Sequence, residues 1–224
     1  MEMSLNIKMN EHLFLRNPED SELGRRIVQK SIVFIHKVGF EAFTFKKLAI
    51  EVNTTEAGIY RYFENKHRLL LYMVDWYWSW QEYRLIYQTQ NLKNPKTRLK
   101  KAILLLSTPV EDDDATQHVN EKLLYEIIMM EGAKSYLTRN VAEDNKQQLF
   151  KPYKDLCARI SDIILECNPK YKYPRSLAST IIEMAHSLNF YVKNLPSLTD
   201  CGKSKEGSRI SAFIEDMVFS TLGK

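Results

Sequence analysis

Residues 39–70 read GFEAFTFKKLAIEVNTTEAGIYRYFENKHRLL, and this stretch decides how the N-terminal part of the chain folds. Thr44 precedes a run with apolar residues at helical spacing, so it is a predicted N-cap, and Thr55 is a second one. Asn53 lies between the two runs and is a predicted turn residue, because asparagine tolerates the left-handed region of backbone space. The stretch therefore predicts two short helices joined by a tight turn.

Longer helical patterns flank this stretch. Upstream, residues 21–38 place apolar side chains three and four positions apart, and Gly39 ends that predicted helix. Downstream, a much longer helix is predicted over residues 66–90. Three helices in quick succession before a long fourth have the spacing of a helix-turn-helix, in which the second helix of the pair lies in the DNA major groove.

The remainder of the chain also has helical patterns, among them one over residues 141–167 with a bend at Pro152. Seven glycines and seven prolines are few for 224 residues, which favours long helices over many short strands. No alternating strand of useful length and no internal repeat is found. The predicted fold class is all-α, with about nine helices.

Composition and motifs exclude several classes of protein. The chain is 44% hydrophobic and 27% charged, a balance typical of globular proteins. It has no run of about 18 apolar residues and no signal-peptide pattern, so no membrane contact is predicted. Its three dispersed cysteines fit reduced thiols in a cytoplasmic protein. No P-loop, GxSxG, HExxH or paired His/Cys motif is present, so no enzyme activity, metal or cofactor is expected.

The joint order and spacing of these residues resemble the N-terminal domain of TetR-family transcriptional regulators. The matching elements are Gly39-Phe40, Thr44, Thr55, the aliphatic-aromatic run at 59–63, Lys66 and Leu69-Leu70. The chain departs from the family pattern in the turn, where it has Val52-Asn53-Thr54, and after the lysine, where it has His67. The resemblance covers about the first third of the chain.

The resemblance implies a division into three parts. Residues 1–18 are expected to form a loosely structured N-terminal extension, 19–68 a three-helix DNA-binding domain, and 69–224 a helical effector-binding and dimerisation domain. It also implies that Thr44, Tyr60 and Lys66 contact phosphates, for which a hydroxyl, a phenol and an ammonium are suited. The alternative is that Thr44 is only a helix cap, Tyr60 a packed ring and Lys66 a solvated charge.

The residues that open the third helix are those that reach base edges in a helix-turn-helix. Glu56 either accepts a hydrogen bond from cytosine N4 or only favours the helix dipole, and the methyl group of Ala57 suits a thymine methyl. The full predicted DNA-binding set is Thr44, Lys46, Lys47, Thr54, Thr55, Glu56, Ala57, Tyr60, Arg61 and Lys66.

Charge is concentrated in the same region. Residues 21–70 contain nine lysines and arginines against five acids, an excess equal to the +4 of the whole chain. The other parts are therefore close to neutral in sum, and the localised positive charge favours double-stranded DNA as a partner.

The long fourth helix has an aromatic stripe along one face. Such a stripe is either core or ligand pocket, and in TetR-like proteins this helix lines the effector cavity. A small apolar or aromatic effector is therefore expected. The predicted pocket residues are Trp76, Trp80, Tyr83, Tyr87, Tyr125, Met129 and Met184.

The last two predicted helices each have an apolar stripe that must be covered. The resemblance implies that they pair with their symmetry mates in a homodimer, whose two helix-turn-helix units match a palindromic operator. Packing of both helices within a monomer is the alternative. The predicted interface residues are Leu177, Ile181, Ala185, Leu188, Ile210, Phe213, Ile214 and Met217.

Together these features predict a transcriptional repressor that a small-molecule effector releases from its operator. The alternative is a helical ligand-binding or interaction protein whose DNA-binding head has lost function. The unusual turn and Glu56 motivate that second hypothesis.

Overall fold

The computed structural model describes residues 7–112, 116, 118–202 and 208–223. Within these residues all regular structure is helical, with no strand, which confirms the all-α prediction. None of the described helices is both long enough and apolar enough to cross a membrane. The α-helices are α1 (Glu22–Ala42), α2 (Phe45–Val52), α3 (Glu56–Tyr60), α4 (Lys66–Thr89), α5 (Pro95–Ser107), α6 (Glu121–Glu131), α7 (Val141–Lys146), α8 (Lys151–Cys167), α9 (Pro174–Asn194) and α10 (Ser208–Leu222).

The chain folds into two compact units. The first comprises Met1–Trp80 and Val110–Pro152, and the second comprises Gln81–Pro109 and Tyr153–Lys224. In the first unit α1 packs against α2 and α6, and α2 packs against α3. In the second unit α10 packs against α5 and α9.

The N-terminal segment corrects one expectation, because its described part is packed rather than loose. Leu13 is fully buried, and the backbone N–H of Leu15 donates to the carbonyl of Tyr62 at 2.8 Å. The 3₁₀ turn Pro18–Asp20 lies so close to α1 that a Cβ at Gly24 would collide with the Pro18 carbonyl. Residues 1–6 of the predicted extension lie outside the described residues.

The first helix is broken near the glycine that was predicted to end it. Gly39 has φ 77° and ψ 158°, a conformation suited to glycine, and helical turns then resume as far as Ala42. The side-chain oxygen of Ser21 caps the other end of α1 by accepting the N–H of Gly24 at 3.0 Å. The glycine therefore ends the main part of α1, as predicted, and a short helical stretch follows it.

The single helix predicted over residues 141–167 is in fact two, α7 and α8. Gln148 lies between them with φ 60°, in the left-handed region. Pro152 is in the first turn of α8, where the missing N–H removes no helical hydrogen bond, so it helps to start a helix instead of bending one. This break accounts for one helix more than was predicted.

Candidate nucleic-acid interface

Helices α2 and α3 are joined by the predicted tight turn. The hydroxyl of Thr44 accepts the N–H of Lys47 at 3.3 Å, and the hydroxyl of Thr55 accepts the N–H of Gly58 at 3.0 Å, so both predicted caps are confirmed. Asn53 adopts the left-handed conformation, with φ 54° and ψ 57°. Asparagine thus provides the left-handed backbone geometry that the predicted turn requires.

Each of the two helices buries one face and exposes the other. Phe45, Leu48 and Ile59 are at most 4% exposed and fix the helices to the rest of the unit. Thr54 is half-buried. The exposed face holds eight more of the predicted DNA-binding residues, namely Thr44, Lys46, Lys47, Thr55, Glu56, Ala57, Tyr60 and Arg61.

Tyr60 lies at the end of α3 with its ring supported on one side. Its ring centroid is 5.1 Å from that of Phe45, in an edge-to-face arrangement, and the residue remains 46% exposed. Such a ring is held in place by packing while its polar end stays available to a partner.

Two lysines of the predicted DNA-binding set donate to backbone carbonyls. The Lys47 ammonium is 3.0 Å from the carbonyl oxygen of Ala42. The half-buried Lys66 ammonium is 3.1 Å from that of Phe40 and 3.4 Å from those of Glu41 and Phe43. These lysines therefore have roles inside the protein that the sequence did not reveal.

Two features near the helix-turn-helix were not predicted from the sequence. Ile50 on α2 is 78% exposed, although its position off the apolar face of that helix was visible in the sequence. The N-terminal segment lies beside the end of α3, where the Arg16 guanidinium carbon is 5.5 Å from the centroid of the Tyr62 ring. The apolar residues Met9 and Leu13 were the available signal that this segment packs.

Four of the predicted effector residues lie in the first unit. Trp76 and Trp80 are each 5% exposed on α4, and their rings stack with centroids 6.2 Å apart. On α6, Tyr125 is 7% exposed and Met129 is half-buried. Within this unit the Tyr77 ring contacts both Trp80 and Tyr125, at 6.2 and 6.4 Å between centroids.

The other three predicted effector residues lie in the second unit. Tyr83 and Tyr87, on the last turns of α4, stack at 6.3 Å and are 45% and 66% exposed. Met184 on α9 is half-buried. The aromatic stripe of α4 is thus covered in its first part and open in its second, and its role in ligand binding remains a prediction.

Most of the predicted dimer-interface residues lie inside the second unit. A side chain already covered within one chain offers little area to a partner. Of the predicted interface residues, only Phe213, which is 50% exposed, and the half-buried Met217 offer such area. The residues that are at most 9% exposed are Leu177, Ile181, Ala185, Leu188, Ile210 and Ile214.

Comparison with known proteins agrees with this geometry. Residues 27–73 match the family model of bacterial regulatory proteins, tetR family. The matched residues include both short helices and the turn between them. No curated protein sequence matches the chain.

Solved structures of similar fold cover almost the whole chain. AibR in complex with isovaleryl coenzyme A and operator DNA is 17% identical, with a TM-score of 0.61, over 88% of this chain and 98% of AibR. FadR from Bacillus subtilis in complex with stearoyl-CoA is 14% identical, with a TM-score of 0.62, over 88% of this chain and 98% of FadR. A tetR-family regulatory protein from Rhodococcus RHA1 is 12% identical, with a TM-score of 0.63, over 91% and 98%. At these identities the likeness establishes the fold alone.

Proposed function

We propose that this chain, a DNA-binding regulator of the tetR family, is a repressor that a small-molecule effector releases from a palindromic operator. One observation supports the proposal above all others. The polar residues that begin α2 and α3 are exposed together, on helices anchored from behind by buried residues such as Leu48 and Ile59. A rigid pair of helices with an exposed polar start is what entry into a major groove requires.

The predicted DNA contacts divide by chemistry. Thr44, Lys46, Lys47, Tyr60 and Arg61 are proposed to meet phosphates and to set the register of the protein on the duplex. The residues that open α3, from Thr54 to Ala57, are proposed to meet base edges. Glu56 would reject a phosphate but accept a hydrogen bond from cytosine N4, so it is the proposed determinant of sequence preference.

The turn bears on the alternative of a DNA-binding head that has lost function. That hypothesis was motivated by a turn without glycine and by Glu56. Because Asn53 reaches the left-handed conformation, the substitution does not prevent the turn from forming. The DNA-binding hypothesis is therefore favoured, and we keep the proposed division into a DNA-binding domain at 19–68 and an effector-binding and dimerisation domain at 69–224.

We also propose that the protein is a homodimer that works in the cytoplasm, where its DNA is. A two-fold axis would present two helix-turn-helix units to two half-sites of a palindrome. The exposed Phe213 and the neighbouring Met217 on α10 are proposed to lie in the dimer contact.

The proposed effector is small and apolar or aromatic, and it acts by population shift. The dimer has one arrangement that fits the operator and one that does not. The effector need only bind the second arrangement more tightly than the first. AibR and FadR were solved with isovaleryl coenzyme A and stearoyl-CoA, whose acyl chains are apolar although the coenzyme A part is large and charged. Acyl-CoA thioesters and the matching free acids are therefore the first compounds to test.

The direct test is salt-dependent binding to the DNA upstream of the protein's own coding region. Tyr60→Phe removes one hydroxyl and leaves the ring on Phe45, so we expect weaker binding by about tenfold with unchanged folding. Tyr173→Phe, at an exposed tyrosine of the second unit, is the matched control. Absence of binding by the wild-type protein at low salt would refute the proposal.

A further inference from the structure

The segment 39–43, between the main part of α1 and the start of α2, is held by side chains from two other helices. The first is Lys66, at the start of α4. Its ammonium reaches the carbonyl oxygens of Phe40, Glu41 and Phe43 at 3.1, 3.4 and 3.4 Å. Because a lysine ammonium has three donors, these three carbonyls account for all of them.

The surroundings of the ammonium reinforce this arrangement. Its nitrogen lies 4.7 Å from the centroid of the Phe40 ring, within the range of a cation–π contact. Phe40 itself is only 7% exposed. Carbonyls at the end of a helix bear partial negative charge, so a cation placed among them is stabilising.

The second support comes from the end of α6. Glu131 accepts the backbone N–H of Phe40 at 3.0 Å, and its side chain is only 13% exposed. Lys134 then bridges two acids, 2.7 Å from Glu131 and 2.9 Å from Glu41 on the segment itself. The carbonyls of segment 39–43 therefore accept hydrogen bonds from α4, and its Phe40 N–H donates one to α6.

We infer that Lys66 and Glu131 are positioning residues for DNA binding, which hold segment 39–43 so that Thr44 and the first turn of α2 face the DNA backbone. Thr44 directly follows the segment and caps α2. Lys66 thus acts on DNA through the protein backbone, and not as a phosphate ligand. This inference rests on the proposed function, since it assumes that the start of α2 meets DNA.

The salt dependence of DNA binding separates the two roles of Lys66. Each phosphate neutralised by a lysine adds about 0.9 to the slope of log Kobs against log salt concentration. Lys66→Met should weaken operator binding by about tenfold, as a misplaced helix start would, while the slope stays at the wild-type value. A slope reduced by about 0.9 would overturn the inference, as would an unchanged affinity.

Two lysine controls accompany this variant. Lys37→Met removes the same charge from an exposed position on α1 and should leave both affinity and slope nearly unchanged. Lys46→Met, at a proposed phosphate contact, should lower the slope by about 0.9.

Glu131→Ala provides an independent test with an opposite sign. By charge alone, removal of an acid should strengthen binding to a polyanion. The inference requires the reverse, a loss of about tenfold, because the Phe40 N–H loses its acceptor. Glu143→Ala, at an exposed acid of α7, is the matched control and should not weaken binding. Equal or tighter binding by Glu131→Ala would overturn the inference, and this variant decides the question if Lys66→Met does not fold.

Hydrogen exchange without DNA distinguishes failure of this inference from failure of the proposed function. In both variants the amides of residues 39–44 should exchange faster than in the wild type, while those of α9 should not change. If the wild-type protein shows no salt-dependent DNA binding, the proposed function fails, but the exchange data still test whether the two side chains hold the segment. Unchanged exchange in both variants would overturn the inference.

Discussion

Arg68 donates to Asp144 across the first unit, with Nη1 3.2 Å from Oδ1. The pair joins the first turn of α4 to α7, and the Asp144 side chain is only 5% exposed. The other guanidinium nitrogen of Arg68 donates to Gln147 at 3.1 Å. One arginine therefore contacts both Asp144 in α7 and Gln147 directly after that helix.

Loss of this arginine should be strongly destabilising. Arg68→Met leaves the Asp144 carboxylate buried, with the His67 ring nitrogen 3.5 Å away as its remaining basic neighbour. We expect a loss of about 3 kcal/mol in the free energy of unfolding, measured by urea denaturation. Lys146→Met, which breaks the exposed ion pair with Glu143 on α7, should cost less than about 1 kcal/mol. Equal losses in the two variants would contradict the structural role of Arg68.

Asn53 gives a prediction that depends on backbone geometry alone, because its side chain is exposed. Asn53→Ala should lose about 1–2 kcal/mol, since alanine is strained at φ 54°. Asn53→Gly should be close to the wild type in stability, because glycine adopts this conformation readily. Paired urea denaturation curves measure both values. If the alanine and glycine variants were equally stable, strain at this turn would not be the cause.

The helix-turn-helix was predictable from sequence because its signals are local. The caps at Thr44 and Thr55 and the turn at Asn53 each depend on a few neighbouring residues, and each is present in the structure. The buried face of α2 follows from the helical spacing of Phe45 and Leu48 in the same way.

Features that depend on distant residues were not predictable. The packing of Leu13 requires contacts with parts of the chain far away in sequence, and the carbonyls that hold Lys66 precede it by more than twenty residues. An apolar stripe such as that of α9 shows that a face is covered but not by what. Ile181, which was assigned to a dimer contact on such a stripe, is fully buried within its own chain, and its place in a dimer stays a prediction.

Stability should depend on pH through Glu19. Burial raises the pKa of its carboxyl, but hydrogen bonds from His118 and Tyr72 and the nearby charges of His118 and Arg25 outweigh burial, so the pKa is lowered from 4.5. A lowered pKa stabilises the folded state fully above about pH 4.5, and this stabilisation is lost as the pH falls through the folded-state value.

Glu19→Gln should therefore have a melting temperature a few degrees below the wild type at pH 7, and the gap should close as the pH falls below about 4.5. Thermal denaturation of both proteins between pH 7 and pH 3 measures the gap. Glu11→Gln, at an exposed acid of the same segment, controls for the loss of one negative charge. A gap that persists at pH 3 would show that the carboxylate charge of Glu19 is not what stabilises the fold.

Phe213 provides the test of the proposed dimer. It is half exposed on α10, so part of its apolar ring is available to a partner. Phe213→Glu would place a negative charge from each chain in the proposed contact, so we expect the mass of this variant by light scattering at micromolar concentration to fall to the 26.3 kDa of one chain. Its operator affinity should fall with it, because a monomer reads only one half-site.

Leu104→Ser, at an exposed apolar residue of α5 in the same unit, is the control and should remain dimeric. A wild-type mass of one chain would contradict the dimer itself, whereas a dimeric Phe213→Glu would show that Phe213 is not essential to the interface.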